Sequence, residues 1–394
     1  MLVFTVRELF KSRNRAALML PGVACLLVGI FLPTSKSYHQ ALIVLLWLPG
    51  LFLLWSEREA LRSLAKCTLI HAVTVFLVWS LVTSLWASDG QGLQEGKYLF
   101  FIMLTLWGMF LIGSLPQHVL FNLLWYSSII ASLFAGYYWF RFYLVNGMPW
   151  EERLSGVGQL SHSILAAHVF GFFTMVLYGL RPRGIRQVIL WGAALSMLFI
   201  YLLFAQSKGV WVAVMFSLVL TPIWGRWLLY KYVAVICVVA VVALYGFVPE
   251  LITQRGMSYR PELFSAGVEM WKQSGFLLGT GLGDHYSLFL ESIPAAFDHP
   301  HNFYLSVAIQ VGLVGLIFWG MVWGGVVGHA WFARQLFLRR VILGVWVFST
   351  VSLLSDGFNV WDKPREIWFL TWVPVGLMLM LWRSQAVSDK ASPE

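Results

Sequence analysis

The sequence predicts an all-α polytopic membrane protein: one membrane domain over residues 1–394, about twelve spanning helices, and both termini on the cytoplasmic side. Three observations carry that reading. Hydrophobic residues make up 59% of the chain and charged ones only 11%, too few to cover a water-soluble particle of this length. Apolar runs of spanning length recur from end to end. Basic residues crowd alternate loops, the asymmetry left when a chain inserts with its positive loops retained inside.

The runs fall, in order, at 17–33, 39–55, 67–87, 98–115, 118–140, 160–180, 188–206, 209–225, 232–248, 301–327, 341–355 and 366–382. The first follows Arg7, Lys11, Arg13 and Arg15. That start resembles a secretory leader, but no small-residue cleavage site follows and further runs come soon after, so it reads as a retained first helix. With the N-terminus inside, the inner loops hold Arg58, Arg62 and Lys66, then Arg181, Arg183 and Arg186, then Arg226 and Lys231, then Arg334, Arg339 and Arg340, with Arg383 and Lys390 after the last run. With the N-terminal four, these are 17 of the 27 basic residues, against five acids on the same segments. The loop at Pro116 carries no charge and constrains the topology least. The net charge of +9 follows this asymmetry, which points to a membrane and away from nucleic acid. Cys25, Cys67 and Cys237 are isolated in or beside apolar runs, with no metal spacing and no expected disulfide.

Ten basic residues lie on the outer side: Lys36, Lys97, Arg141, Arg153, Lys208, Arg255, Arg260, Lys272, Lys363 and Arg365. They oppose the insertion bias, so some are expected to serve a function. The outer face also carries the one long loop, 249–300. Within it, Phe264, Val268 and Trp271 follow Pro261 at helical spacing, which predicts a short amphipathic helix lying on the membrane surface or capping a cavity.

After that loop the chain reads Asp298-His-Pro-His301-Asn302-Phe-Tyr-Leu and continues through Gly312-Leu-Val-Gly315. Pro300 suits a first helical turn and Asp298 a cap, which places His301 at the start of a span. The positive end of the helix disfavours imidazolium, so a histidine there tends to stay neutral and able to accept a proton. On a continuous helix, Ala308, Gly312 and Gly315 share the His301 face, where small residues let a neighbouring helix approach.

His301-Asn302, nine residues, then Gly312-x-x-Gly315 resembles the signature of the bacterial O-antigen ligase family. Further stretches are similar: Ser258-Tyr259-Arg260 with Trp271 downstream, the turn Gly279-Thr-Gly281-Leu-Gly283, and Arg153-Leu-Ser-Gly156 ahead of a span. Ser207-Lys208-Gly209 stands where the family usually has Ser-Arg-Gly, which keeps the charge and loses the two-pronged grip of a guanidinium. The resemblance implies a multi-pass protein of the bacterial inner membrane with its site facing the periplasm. It implies a glycan donor on undecaprenyl diphosphate, a lipid A-core sugar hydroxyl as acceptor, and transfer with inversion and without a metal or other cofactor.

A sugar diphosphate already carries a good leaving group, so the protein must supply cations for the diphosphate and a base for the attacking hydroxyl. Arg153, Lys208, Arg255 and Arg260 are the expected cations and His301 the expected base, with Asn302, His299, Asp356, Gly312 and Gly315 in support. The plainer alternatives are an interfacial histidine capping a helix, a snorkelling Lys208 and solvated loop residues at Arg260 and Asp356. The glycines at 279, 281 and 283 are no nucleotide site, because they join no strand to a helix.

The rival enzymes are an O-antigen polymerase and an O-linked oligosaccharyltransferase. The polymerases resemble a pattern of arginine followed eleven residues later by glycine. Here Glu152, Ile164, Ala266 and Trp271 stand eleven after Arg141, Arg153, Arg255 and Arg260. The protein glycosyltransferases typically carry a long further C-terminal region, against twelve residues after the last run here. A flippase for lipid-linked glycan is the non-enzymatic alternative. Charged residues stand only at the ends of the spans, which argues against a proton-coupled carrier.

Overall fold

A computed structural model of the chain describes residues 12–87, 92–247, 259–290, 292, 295–357 and 359–391. Each of the twelve apolar runs is built mainly of helix among the described residues. In chain order the helices are α1 (Arg15–Phe31), α2 (Ser35–Ser56), α3 (Arg58–Leu64), α4 (Thr68–Thr83), α5 (Gly92–Ile112), α6 (Gln117–Trp139), α7 (Ser163–Gly179) and α8 (Ile185–Ala205). They continue with α9 (Lys208–Leu220), α10 (Leu228–Phe247), α11 (Arg260–Gln273), α12 (Phe303–Trp331), α13 (Leu336–Ser355) and α14 (Trp372–Ala391). Among the described residues, 7 helices are long and apolar enough to cross a membrane, or 8 if α3 and α4, bent by 85°, form one broken span. Residues 15–31, 163–179 and 208–223, and the 228–240 part of α10, form shorter apolar helices of 10–17 residues. The chain is an all-α polytopic membrane protein.

Helix α7 is the hub, buried without interruption from Ala166 to Gly179. Its glycines let α13 close in: a Cβ on Gly179 would sit 2.9 Å from the Val341 Cα, and one on Gly171 would overlap the Phe348 ring. Phe76, Trp319, Trp361 and Trp372 pack into one buried aromatic cluster joining α4, α12 and α14. The outward faces of α2, α8 and α10 expose Phe52, Ile189, Leu203, Ile236 and Val239. Apolar surface this extensive is stable only against lipid.

Three sequence expectations change in detail. Helix α12 begins at Phe303, with the Asn302 side chain as its cap, so His301 lies before the helix and Asp298 caps nothing there. Gly312, at φ 71° and ψ −177°, breaks α12 into two segments, which removes the continuous face once drawn through His301, Ala308, Gly312 and Gly315. In α11 Val268 and Trp271 of the expected stripe pack inward, but Phe264 is exposed and the adjacent Leu263 is buried in its place, with Gly267. Leu263 packs with Tyr286, Leu288, Leu290, Leu305 and Ile309, where a small antiparallel pair, β1 (Leu288–Phe289) and β2 (Ala296–Phe297), folds back over α12.

The break at Gly312 is where the glycine turn docks. It frees the carbonyls of Ile309 and Gln310, which accept from the Thr280 and Gly281 N–H groups at 2.8 Å each. It also frees the N–H groups of Leu313 and Val314, which donate to the Phe276 and Leu277 carbonyls at 3.0 and 3.3 Å. A Cβ on Gly312 would overlap the Leu277 carbonyl, and Gly279 and Gly281 both adopt positive φ against packed backbone. On the other side, Leu282 N–H donates to Thr83 Oγ1 at 3.1 Å and Trp79 Nε1 donates to the Val311 carbonyl at 2.9 Å. The turn is therefore wedged between the end of α4 and the break in α12. Trp271 stacks on Phe276 at 4.5 Å and holds the entry to the same turn.

Candidate functional site

Four residues singled out in the sequence meet where α12 starts and α13 ends. Asn302 joins the two helices. Its Oδ1 accepts from the Leu305 N–H at 3.0 Å, and its Nδ2 donates to the Leu354 carbonyl at 3.0 Å. Asp356 follows the last residue of α13 and is 5% exposed. Its Oδ1 accepts from the Gly357 N–H at 2.8 Å and lies 3.3 Å from His301 Nδ1. His299 Nε2 lies 3.1 Å from the same His301 Nδ1, and His299 Nδ1 lies 2.6 Å from Asp298 Oδ1.

The protons in this chain follow from the carboxylates. Burial opposes ionisation of Asp356, yet the hydrogen bond from His301, the charges of His168 and His301 and the Gly357 N–H hold its carboxyl well below the usual range. Asp298 is likewise held low, its burial outweighed by His299. Two ionised carboxylates only accept, so both imidazoles donate from Nδ1. His301 Nδ1–H points at Asp356, with His299 Nε2 sharing it, and His301 Nε2 makes no hydrogen bond with a described residue. The outcome is a half-buried imidazole oriented through one nitrogen, with the other open to accept a proton. His301 holds φ 49°, a conformation that L residues rarely adopt and that structures retain mainly where placement of the side chain matters.

His299, His301 and Asp356 also present ligand atoms within 4.8 Å of one another, a spacing that a divalent cation could occupy in place of the shared proton.

The cations approach from α9 and α11. Gly209 packs so closely on Ser355, the residue before Asp356, that a Cβ there would overlap its Oγ, and Arg260 Nη1 would lie 3.6 Å from that Cβ. Arg260 makes no hydrogen bond or ion pair with a described residue. Lys208 precedes Gly209 at the start of α9. Arg153 runs along the same turn: its Nε donates to the Ala205 carbonyl at 3.2 Å, and the Leu154 N–H donates to Phe204 at 2.9 Å. Lys208 and Arg153 thus share the α8–α9 turn, and Gly209 brings that turn against both Arg260 and the Asp356 corner. Arg255 lies outside the described residues. Gly312 and Gly315 lie deeper along α12, where Gly312 makes the break and Gly315 packs near Trp79. Arg365 is already paired, at 2.9 Å to Asp362 and 3.1 Å to Glu366.

One residue here was not singled out in the sequence. His168 is buried in α7 within electrostatic reach of Asp356, Arg260 and His162, and its Nε2 has no hydrogen-bond partner among the described residues. The signal was available: an imidazole well inside the apolar run 160–180, where an ionisable side chain is costly and marks function by default.

A family model described as O-antigen ligase matches residues 192–320, a stretch that holds Lys208, Arg260, His301, Asn302, Gly312 and Gly315. The chain is 28% identical over 386 residues to the O-antigen ligase of Pseudomonas aeruginosa strain PAO1, covering 95% of this chain and 93% of that protein. The likeness runs almost end to end, and the family match lies across the helix break and the histidine ahead of it: over nearly its whole length the chain is similar to an O-antigen ligase.

Proposed function

We propose that the chain transfers an O-antigen glycan from undecaprenyl diphosphate to a sugar hydroxyl of lipid A-core, at the periplasmic face of the bacterial inner membrane. The observation that carries the reading is His301, tied through Nδ1 to a buried carboxylate, open at Nε2, and set near an arginine with no protein partner among the described residues. His301 Nε2 takes the proton of the acceptor hydroxyl as its oxygen attacks the anomeric carbon. The bond from that carbon to the diphosphate oxygen breaks, the configuration inverts, and the electron pair leaves with the lipid diphosphate. Arg260, Lys208 and Arg153 neutralise the charge that accumulates there, and Arg255 belongs to the same group. Asp356 orients the imidazole and stabilises its protonated form, His299 extends the hydrogen-bonded chain, and Asn302 fixes the corner. No metal is needed, because the guanidinium and ammonium groups take its place. Both termini lie in the cytoplasm and the segment 249–300 in the periplasm.

The test is a reaction of purified protein with a polyprenyl-diphosphate glycan, offered lipid A-core, a second donor glycan or an acceptor protein. Conjugation to lipid A-core with release of lipid diphosphate, unaffected by chelator, is the expected result. Extension of the donor glycan would assign a polymerase, conjugation to protein an oligosaccharyltransferase, and unchanged substrate moved across the bilayer a flippase. Loss of transfer in chelator, restored by magnesium or manganese, would make His299, His301 and Asp356 a metal site instead.

A further inference from the structure

The end of the bundle remote from His301 carries a polar cavity. Helix α13 runs from Leu336 to Ser355, so this cavity, at its first turn, lies about 30 Å from the Asp356 corner. It encloses about 1160 Å³ between the first turns of α6, α8 and α13 and the last turns of α14. The transfer reaction has no use for it.

Two independent features make it a site for an anion, and a third adds an acceptor beside it. Arg181, Arg183, Arg334 and Arg340 line it, and the single carboxylate among the lining residues, Asp389, pairs with Arg334 at 3.2 Å. Helices α6, α8 and α13 all begin there, and none has a side-chain cap, so first-turn N–H groups of three helices face one space. Gln335, 8% exposed, lines it with an Oε1 that no described group satisfies, while its Nε2 donates to Ser384 Oγ at 2.6 Å. A buried acceptor without a donor is costly, so the site calls for a hydroxyl or ammonium next to its anion.

We infer that this cavity binds a phosphate group, with Arg181, Arg183 and Arg340 on its oxygens and a neighbouring hydroxyl or ammonium donating to Gln335. An anionic phospholipid headgroup and free phosphate offer the same chemistry. On the topology proposed above, this end faces the cytoplasm and a lipid comes from the inner leaflet. The binding test below involves no glycan transfer, so its failure leaves the proposed reaction standing.

The experiment is native mass spectrometry of the full-length, delipidated protein in detergent. The probes are phosphatidylglycerol, phosphatidylcholine with the same acyl chains, and inorganic phosphate. The expected result is one saturable phosphatidylglycerol, weakened roughly tenfold or more in Arg181→Gln/Arg183→Gln and unchanged in Arg186→Gln, whose side chain is outside the cavity. Arg334→Gln, tested separately, should weaken it less, since that arginine is already paired. Saturable inorganic phosphate with the same sensitivity, and no preference between the lipids, supports the phosphate site and makes free phosphate its source. The inference is overturned if no probe saturates, or if folded Arg181→Gln/Arg183→Gln binds as the parent does.

Discussion

Replacing Asp356 by asparagine isolates the step on which the proposed chemistry turns. The side chain keeps its size in a site that is 5% exposed, and its oxygen can still accept from the Gly357 N–H. What disappears is the charge that receives His301 Nδ1–H at 3.3 Å. A hydrogen bond to a charged group contributes about 1.5–3 kcal/mol, and each 1.36 kcal/mol is about tenfold in rate. That bond strengthens as the imidazole becomes a cation, so Asp356→Asn should lose about 10–150-fold in kcat with little change in donor KM. The assay is transfer at saturating donor and acceptor with reconstituted, correctly folded protein. A kcat within threefold of the parent would refute the reasoning, as would a loss confined to KM. The pH dependence has a fixed sign. The Asp356 carboxyl is held below its unfolded value of about 3.9. Its contribution to stability is therefore fully present above that value and is lost as the pH falls through the depressed folded value. Stability of the parent should fall more steeply than that of Asp356→Asn in strong acid, and Asp356 should not titrate in the neutral range where activity is measured.

Arg260→Ala should lose roughly ten- to a hundredfold at limiting donor, and Lys208→Arg should be tolerated; full activity of the first would remove Arg260 from the site. Gly312→Ala should cost about 1–3 kcal/mol of stability, read from unfolding in detergent, because its Cβ would overlap the Leu277 carbonyl at a positive φ; an unchanged midpoint would contradict the wedged turn. Single cysteines at Lys272 and Arg183 in a cysteine-free background should label from opposite sides of the membrane. If both react with an impermeant reagent in intact spheroplasts, the proposed topology is wrong.

The helices were legible because the runs are long, apolar and punctuated by arginines, and each of the twelve holds helix among the described residues. The break at Gly312 was not, because glycine in an apolar run equally permits a close helix contact. Only the carbonyls of Leu277 and Gln310 against Gly312 and Gly279 decide between the two. The same limit explains α11: Phe264 and Leu263 are adjacent and both apolar, and the choice of inward face depends on Leu305 and Tyr286, which arrive from elsewhere in the chain. At the site, His301, Asn302 and Arg260 stood out locally. Their meeting with Asp356 and with Gly209 is a product of how α9, α12 and α13 pack. His168 was overlooked because one imidazole breaks no hydropathy pattern.

The central claim is that His301 removes the proton from the acceptor hydroxyl. The direct measurement is product formation by folded, membrane-inserted His301→Ala at saturating donor, with donor binding measured alongside. The account predicts a fall of about 10²–10⁴-fold in rate with donor binding retained, the range for a positioned general base. A rate within a few-fold of the parent would make His301 a structural residue and move the base elsewhere.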